Sequence, residues 1–335
     1  MVVVTGGTGL LGSHLLYYLT KDDGEKSIRA SYRCEKRKAQ VKKLFFMLGG
    51  DSGIENYNKI EWIFSDLTVP YDVQLLLVNA TKVYHCAALV SFFSSDFSKL
   101  LKQNKEITAS IVNACLDRPN TRLCYVSSTA AIGNSVDGLT DENTKWEMNK
   151  RTSAYSISKY LAEKEVWRGI EEGLNAVIIN PCVILGAGNW NDSSLSILKT
   201  ASKGMPFYTP GSNSIVDARD VVQCMIQLMN STLCSERFLC TGDNVKFSEL
   251  FTELSNQMGR KSPKYRIPYP LAISFAFLNE RLQFFRSKKR GLSRDTVKSS
   301  FKSISYSRKK LESVVECKFH SLEETINFSI KNRIM

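Results

Sequence analysis

The stretch Thr5-Gly6-Gly7-Thr8-Gly9-Leu10-Leu11-Gly12 constrains this chain more than any other, because of what flanks it. Val2-Val3-Val4 before it reads as a short buried strand, and after it Leu10, Leu11, Leu15, Leu16 and Leu19 recur at helical spacing. Strand, glycine turn and helix in succession are the context in which such a turn cradles a dinucleotide. Glycine permits the tight exit from the strand, lets the backbone approach a pyrophosphate, and at Gly12 lets the helix pack on the strand. The free N–H groups and positive dipole end of the helix then meet the phosphates. Gly6, Gly9, Leu10, Leu11 and Gly12 are the expected contacts.

A chain of 335 residues, 43% of them hydrophobic, can bury one large core or two unequal ones. Nine cysteines, an odd number with no C-x-x-C pair, suggest neither a disulfide framework nor a zinc site. Reduced thiols in a cytoplasm and no metal are expected. Met1 runs straight into the first strand, with no signal peptide ahead of it. The net charge of +12 asks for nucleic acid, an anionic membrane surface or anionic ligands. Basic residues cluster at Arg33 to Lys43, Arg286 to Arg290 and Arg308 to Lys310, but no helix-turn-helix, zinc-finger or aromatic-basic RNA signature accompanies them. A nucleic-acid partner is therefore not expected.

Ile28 to Tyr32 reads as a second strand and Glu35 to Leu48 as a second helix. An acid closing that strand, about 20 residues after the glycines, would accept the ribose hydroxyls of NAD, whereas an arginine accommodates the 2′-phosphate of NADP. The position holds Arg33, followed by Arg37, Lys38, Lys42 and Lys43, which favours NADP and leaves NAD possible. A solvated helix face is the plainer reading of the same run. Ile60 to Phe64 reads as strand three, ending at Asp66-Leu67, where the carboxylate could accept the adenine amino group or cap a helix. Val83 to Ala88 is strand four, whose small terminal residues leave room for a flat cofactor. Leu123 to Ser127 is strand five. Strands alternating with helices at this pace imply an α/β, Rossmann-type doubly wound parallel sheet with ligands at the carboxyl ends of its strands.

Strand five runs into Ser127-Ser128-Thr129-Ala130-Ala131-Ile132-Gly133, and the next helix carries Tyr155-Ser156-Ile157-Ser158-Lys159. Tyrosine and lysine four apart share a helix face, so the ammonium can sit near the phenol and lower a pKa that starts at about 10. Such a tyrosine can exchange a proton at neutral pH while a serine hydroxyl orients the substrate oxygen. An exposed helix pair is the alternative.

With these elements in this order, the sequence resembles the extended short-chain dehydrogenase/reductase superfamily over nearly its whole length. The family's T-G-x-x-G-x-x-G appears as Thr5 to Gly12, its Asp-Leu as Asp66-Leu67, and its Ala-Ala as Ala87-Ala88. Its helix asparagine looks like Asn104, its proline motif is Asn180-Pro181-Cys182-Val183-Ile184-Leu185-Gly186, and its D-x-x-D-V segment is Asp217 to Val221. The resemblance implies that Tyr155 is the catalytic acid/base and that Lys159 binds the nicotinamide ribose and tunes Tyr155. Ser128, five residues before Gly133, is the catalytic hydroxyl. Cofactor contacts also fall on Asp66, Leu67, Ala87, Ala88 and Pro181. Relatives that dehydrate nucleotide sugars carry acids just after that hydroxyl, where this chain has Thr129 and Ala130. Sugar-nucleotide epimerases commonly have an acid after strand two and an arginine before the proline, where this chain has Arg33 and Asn180. The details look more like the dihydroflavonol reductase, cinnamoyl-CoA reductase and 3β-hydroxysteroid dehydrogenase branch. Ala187 departs from the common Gly-Pro.

The expected activity is NADP-dependent reduction of a ketone or aldehyde, or oxidation of the alcohol, on a small or lipophilic substrate, by the pro-S hydride. A nucleotide-sugar epimerase and a non-catalytic cofactor sensor are the alternatives. Residues 1–186 and 215–242 are expected to form the dinucleotide-binding domain, and 187–214 with 243–335 the substrate-binding cap. In the cap, Leu271 to Phe285 reads as a short apolar helix followed at once by Arg286-Ser287-Lys288-Lys289-Arg290. It is too short to span a bilayer. The expectation is a helix lining the substrate pocket, with peripheral membrane contact as the second reading. Ser305 to Lys310 and Ser321 to Ile326 resemble the closing segments of the family's cap, and the resemblance also implies dimerisation through the helices of Asn104 and Tyr155.

Overall fold

Three consecutive valines can be buried together only where both faces of a sheet are covered, and Val2, Val3 and Val4 are at most 1% exposed. The computed structural model describes residues 1–21, 27–135, 138–149, 152–283 and 292–334. Its strands are β1 (Val2–Thr5), β2 (Ile28–Tyr32), β3 (Ile60–Phe64), β4 (Lys82–His85), β5 (Arg122–Val126), β6 (Asn175–Pro181) and β7 (Val183–Leu185). Then follow β8 (Gly188–Asn189), β9 (Phe207–Tyr208), β10 (Ser212–Asp217), β11 (Glu236–Cys240), β12 (Asp243–Lys246), β13 (Tyr265–Arg266) and β14 (Arg333–Ile334). Seven strands form one sheet in the order β11-β6-β5-β4-β1-β2-β3, and every neighbouring pair is parallel. From β1 the chain builds outward through β2 and β3, then returns to the other side at β4. That reversal opens a crevice at the carboxyl ends of β1 and β4.

Successive residues point to opposite faces. Val2, Val4, Tyr84, Cys124, Val177 and Ile179 pack in one apolar layer with Leu15, Leu16 and Met225. Val3, Val83, Leu123, Tyr125, Ala176 and Ile178 pack in the other with Leu76, Ile111 and Val166. The covering helices include α1 (Leu10–Lys21), α2 (Glu35–Asn58), α3 (Pro70–Leu76), α4 (Phe97–Leu100), α5 (Ile107–Leu116) and α6 (Ala154–Glu171). Burying each such aliphatic side chain contributes about 1.5–3 kcal/mol, so the two layers dominate the stability.

Two boundaries differ from the sequence reading. Helix α2 does not stop at Leu48 but continues to Asn58 through a break at Gly50, whose φ of +57° only glycine adopts cheaply. The Leu48 carbonyl at this break accepts the Tyr17 hydroxyl at 2.9 Å. Strand β4 ends at His85, and Ala87-Ala88 lie in the loop beyond it, where the Ala87 N–H donates to Thr5 Oγ1 at 3.3 Å.

The remainder follows the sheet's carboxyl edge. Strands β12-β10-β7 form a second sheet, over a third apolar cluster of Leu185, Trp190, Leu195, Leu198, Leu250, Leu254 and Ile326. Helices α7 (Ser196–Ala201), α8 (Ala218–Asn230), α9 (Phe247–Gln257), α10 (Tyr269–Gln283) and α11 (Arg294–Ser300) complete the set needed below. Phe284, Phe285 and the basic run Arg286 to Arg290 lie outside the described residues. Among the described residues no helix is long and apolar enough to cross a membrane.

Candidate active site

The glycine turn divides its work between holding its own shape and staying open. Gly6 has φ +68°, and a Cβ there would lie 2.6 Å from the Ala87 nitrogen. A Cβ on Gly12 would lie 2.3 Å from the Gly6 carbonyl oxygen. These two glycines therefore let the β1 exit, the start of α1 and the end of β4 meet at backbone distance. Gly9 is different: it is exposed, and its Cβ would meet only the Gly6 oxygen, at 3.3 Å. The first i→i−4 bond of α1 runs from Ser13 N to Gly9 O at 3.0 Å, so the amides of Leu10, Leu11 and Gly12 precede it. No acid stands in that first turn to neutralise the helix end. An exposed glycine beside free amides fits an anionic pyrophosphate.

Arg33 is exposed beyond β2 and donates from Nη1 to Gln103 Oε1 at 3.0 Å. Asp66 Oδ1 accepts the Thr68 N–H at 3.0 Å and the Thr68 hydroxyl at 2.8 Å. Those two bonds hold its carboxyl below the usual range, with smaller help from the charges of Arg33 and Lys102. Asp66 thus closes its own turn beside Arg33, while Leu67 is buried in the core. Arg37 is committed elsewhere, to both oxygens of Asp192 at 2.6 and 2.9 Å. Arg33 is thus an exposed cation at the carboxyl end of β2, beside Asp66.

At the end of β5, Ser128 caps a short 3₁₀ turn by accepting the Ala130 N–H at 3.1 Å. Tyr155 is partly exposed in the first turn of α6. Its ring lies 5.7 Å from that of Phe92, and the Ser128 hydroxyl stands near enough to its phenol to act on the phenol's pKa. Lys159, 1% exposed, donates from Nζ to the Tyr125 hydroxyl at 2.8 Å and the Val126 carbonyl at 2.9 Å. The structure therefore brings Ser128, Tyr155 and Lys159 together at the edge where the glycine turn lies.

The electrostatics depart from the sequence reading. Desolvation pushes the Tyr155 phenol up to about 12, only partly offset by the nearby Ser128 hydroxyl. Burial likewise lowers Lys159 to about 7, with the Glu163 carboxylate pulling the other way. The expectation that the ammonium depresses the phenol pKa is corrected. The lysine head is turned to Tyr125 and the β5 backbone, and burial outweighs the Ser128 hydroxyl at the phenol and the Glu163 charge at the lysine.

Three supporting networks escaped the sequence reading or went beyond it. His85, held neutral by burial with its pKa lowered to about 3, lies 2.7 Å from Thr5 Oγ1 through Nδ1 and 3.1 Å from Thr108 Oγ1 through Nε2. Because Thr108 donates to the Asn104 carbonyl at 2.6 Å, Nε2 carries the proton and Nδ1 accepts from Thr5. Asn104 sits in a π-helical turn, Leu101–Glu106. It bonds the Leu89 backbone at 2.7 and 3.0 Å and Ser158 Oγ at 2.9 Å. Together these bonds link the glycine turn to the helix of Tyr155. Beneath it, buried Glu163 accepts from Ser127 Oγ at 2.5 Å, Asn180 Nδ2 at 2.7 Å and Arg237 Nη1 at 3.0 Å. Asn180 Nδ2 also donates to the Ser128 carbonyl at 3.0 Å, which fixes the serine turn from below. Glu163 follows Lys159 by four residues on the same helix face, the one sequence signal that pointed to it. Pro181 is buried at the end of β6, next to Asn180, and Ala88 is exposed beyond β4.

Comparison with known proteins gives the family and the fold. The family model described as the NAD dependent epimerase/dehydratase family matches residues 2–238. A Synechocystis sp. protein assigned by name as a dihydroflavonol 4-reductase is 27% identical over 315 residues, covering 92% of this chain and 87% of its own. A Vitis vinifera anthocyanidin reductase, named as (2S)-flavan-3-ol-forming, is 26% identical over 290 residues, covering 79% of this chain and 82% of its own. The crystal structure of gox2253 superposes with a TM-score of 0.79 at 25% identity, covering 99% of this chain and 97% of that one. With a doubly wound sheet, an open glycine turn at its switch point and these likenesses, the chain belongs to the NAD dependent epimerase/dehydratase family of extended short-chain dehydrogenases/reductases.

Proposed function

We propose that this protein is an NADP-dependent oxidoreductase that reduces a ketone or aldehyde, with Ser128, Tyr155 and Lys159 as its catalytic residues. The observation that carries this reading is the placement of Ser128 beside Tyr155, with Lys159 buried one turn further along α6, at the same sheet edge as the glycine turn. The phenol is protonated at neutral pH and so can donate to a substrate oxygen. The turn from Gly6 to Gly12, Arg33, Asp66, Leu67, Ala87, Ala88 and Pro181 would hold the dinucleotide, with Tyr155 and Lys159 completing the contacts. Bound NADPH would supply a hydride to the carbonyl carbon. Ser128 holds the carbonyl oxygen by its hydroxyl. As negative charge develops there, the Tyr155 proton moves to it, while Lys159, one turn further along α6, holds the Tyr125 hydroxyl and the Val126 carbonyl behind the pair. Phe92, stacked obliquely on Tyr155, contributes an apolar wall.

The choice of NADP rests on Arg33, which is the exposed cation beside Asp66 with no acid at its position. The test is a panel of ketones and aldehydes scanned for loss of the reduced-nicotinamide absorbance, with NADPH and NADH in parallel. Turnover with NADPH that disappears in Tyr155→Phe, while NADPH binding persists, supports the reading. NAD retained through purification, with no net absorbance change on any carbonyl, would instead identify a nucleotide-sugar epimerase. Tightly bound NADPH that no carbonyl oxidises would identify a cofactor sensor.

A further inference from the structure

Helix α10 buries one side and leaves another bare. Ala272 and Ala276, 2% and 0% exposed, pack against Val297 of α11, with Ile267, Ile273 and Phe301 around them. On an adjoining side Leu271, Phe275, Leu278 and Leu282 recur at i, i+4, i+7 and i+11, a single stripe of a 3.6-residue helix. They are 55%, 64%, 56% and 51% exposed. A helix face meant for water carries polar residues, and four large apolar side chains in one row are the mark of a surface that meets something else.

The surroundings say what. Just ahead of the helix, Tyr265 on β13 and Phe207 on the adjoining β9 are 64% and 49% exposed, with ring centroids 6.2 Å apart. From residue 260 to 282 the chain holds Arg260, Lys261, Lys264, Arg266 and Arg281 against one acid, Glu280. That acid is taken by Arg294 at 2.6 Å. Arg260, Lys261, Lys264, Arg266 and Arg281 are all exposed, and Arg281 stands 5.2 Å over the Phe277 ring. An exposed apolar stripe in a segment that also exposes aromatics and cations is the pattern of a helix lying in a bilayer interface, its apolar face in the acyl boundary and its cations among anionic headgroups.

We propose that the exposed stripe of α10, flanked by Lys261, Lys264, Arg266 and Arg281, docks this protein on the surface of an anionic lipid bilayer. The helix lies on the membrane and does not cross it, since 15 residues reach about 22 Å against a hydrocarbon core of about 30 Å. A second copy of the chain is the poorer occupant: pairing two such faces would bring the same cations against one another, in a chain of net charge +12.

The test is flotation of the full chain with vesicles of phosphatidylcholine alone and of phosphatidylcholine with ~30% phosphatidylserine. Two triple variants accompany it, Leu271→Ser/Phe275→Ser/Leu278→Ser and Lys261→Glu/Lys264→Glu/Arg266→Glu. All six positions are exposed, so both variants should keep the wild-type Tm. Wild type is expected to float with the anionic vesicles, at least about tenfold more than with the neutral ones. Each variant is expected to lose about tenfold or more of that partition. Wild type left at the bottom of the gradient overturns the proposal. So does flotation that the charge reversal abolishes but the apolar variant leaves unchanged. A wild-type dimer in sedimentation, without flotation, that the apolar variant dissociates would assign the stripe to a second copy and overturn it as well.

Discussion

Replacing Gly9 and Gly12 separately by alanine should separate the two duties of the turn. At Gly9 the new Cβ meets one atom, the Gly6 oxygen, at 3.3 Å. A shift of a few tenths of an ångström relieves that contact, so stability should fall by no more than about 1 kcal/mol. The methyl nevertheless stands on the exposed side, where a pyrophosphate must approach the backbone. Losing one charge-assisted hydrogen bond to a backbone amide costs about 1.5–3 kcal/mol, which raises the dinucleotide Kd about 10- to 150-fold. At Gly12 the Cβ would meet Gly6 O at 2.3 Å, Gly6 C at 2.9 Å and Gly7 Cα at 3.1 Å, all backbone atoms. There α1 must move off the turn, at about 3 kcal/mol or more, which lowers Tm by roughly 4 °C or more and weakens the dinucleotide too. Thermal denaturation and calorimetric titration with NADPH and NADH read both effects. Gly9→Ala with a wild-type Kd, or Gly12→Ala with a wild-type Tm, would refute the division.

Arg33→Ala should raise the Kd of NADPH at least about tenfold while changing that of NADH little; equal weakening of both in a thermal-shift titration would remove the 2′-phosphate role. Glu163→Ala should cost about 3–5 kcal/mol in urea unfolding, because it strips Arg237, Asn180 and Ser127 of a shared acceptor. Adding Arg237→Met should recover part of that loss, and a single-variant cost under about 1 kcal/mol would contradict the network. Lys159 titrates at about 7 folded against 10.5 unfolded. Above pH 7 the unfolded chain therefore holds the extra proton, and stability from this group rises with pH. The window for reading it is pH 7 to about 8.5, below the range where buried thiols such as Cys86, raised to about 12, contribute the opposite slope. Lys159→Met should flatten the rise in Tm over that window, and an unchanged slope would show that the lysine is not held uncharged by burial.

The central strand Val2–Thr5 was readable because it is buried on both faces and so begins as an unbroken apolar run. Ile28–Tyr32 and Ile60–Phe64 are the spans that the sequence suggests. The second half of α2 was hidden because Gly49, Gly50 and Gly53 read as a loop, whereas Gly50 only kinks a helix that resumes. At the site, Ser128, Tyr155 and Lys159 announce themselves by order and spacing. The direction of the Lys159 head does not, since its partners Tyr125 and Val126 come from a strand far away in sequence. Glu163 looks like any polar residue on a helix until the sheet is assembled and Asn180 and Arg237 close around it. Only the register of Thr5 with His85, and of His85 with Tyr125, shows why a histidine ends an apolar strand.

The most direct test of carbonyl reduction at Ser128, Tyr155 and Lys159 is isotope transfer from (4S)-deuterated NADPH to a carbonyl substrate, followed by mass spectrometry of the alcohol. Wild type should give an alcohol heavier by one deuterium, and Tyr155→Phe should give none while still binding NADPH. An unlabelled product, or equal labelling by Tyr155→Phe, would contradict the account.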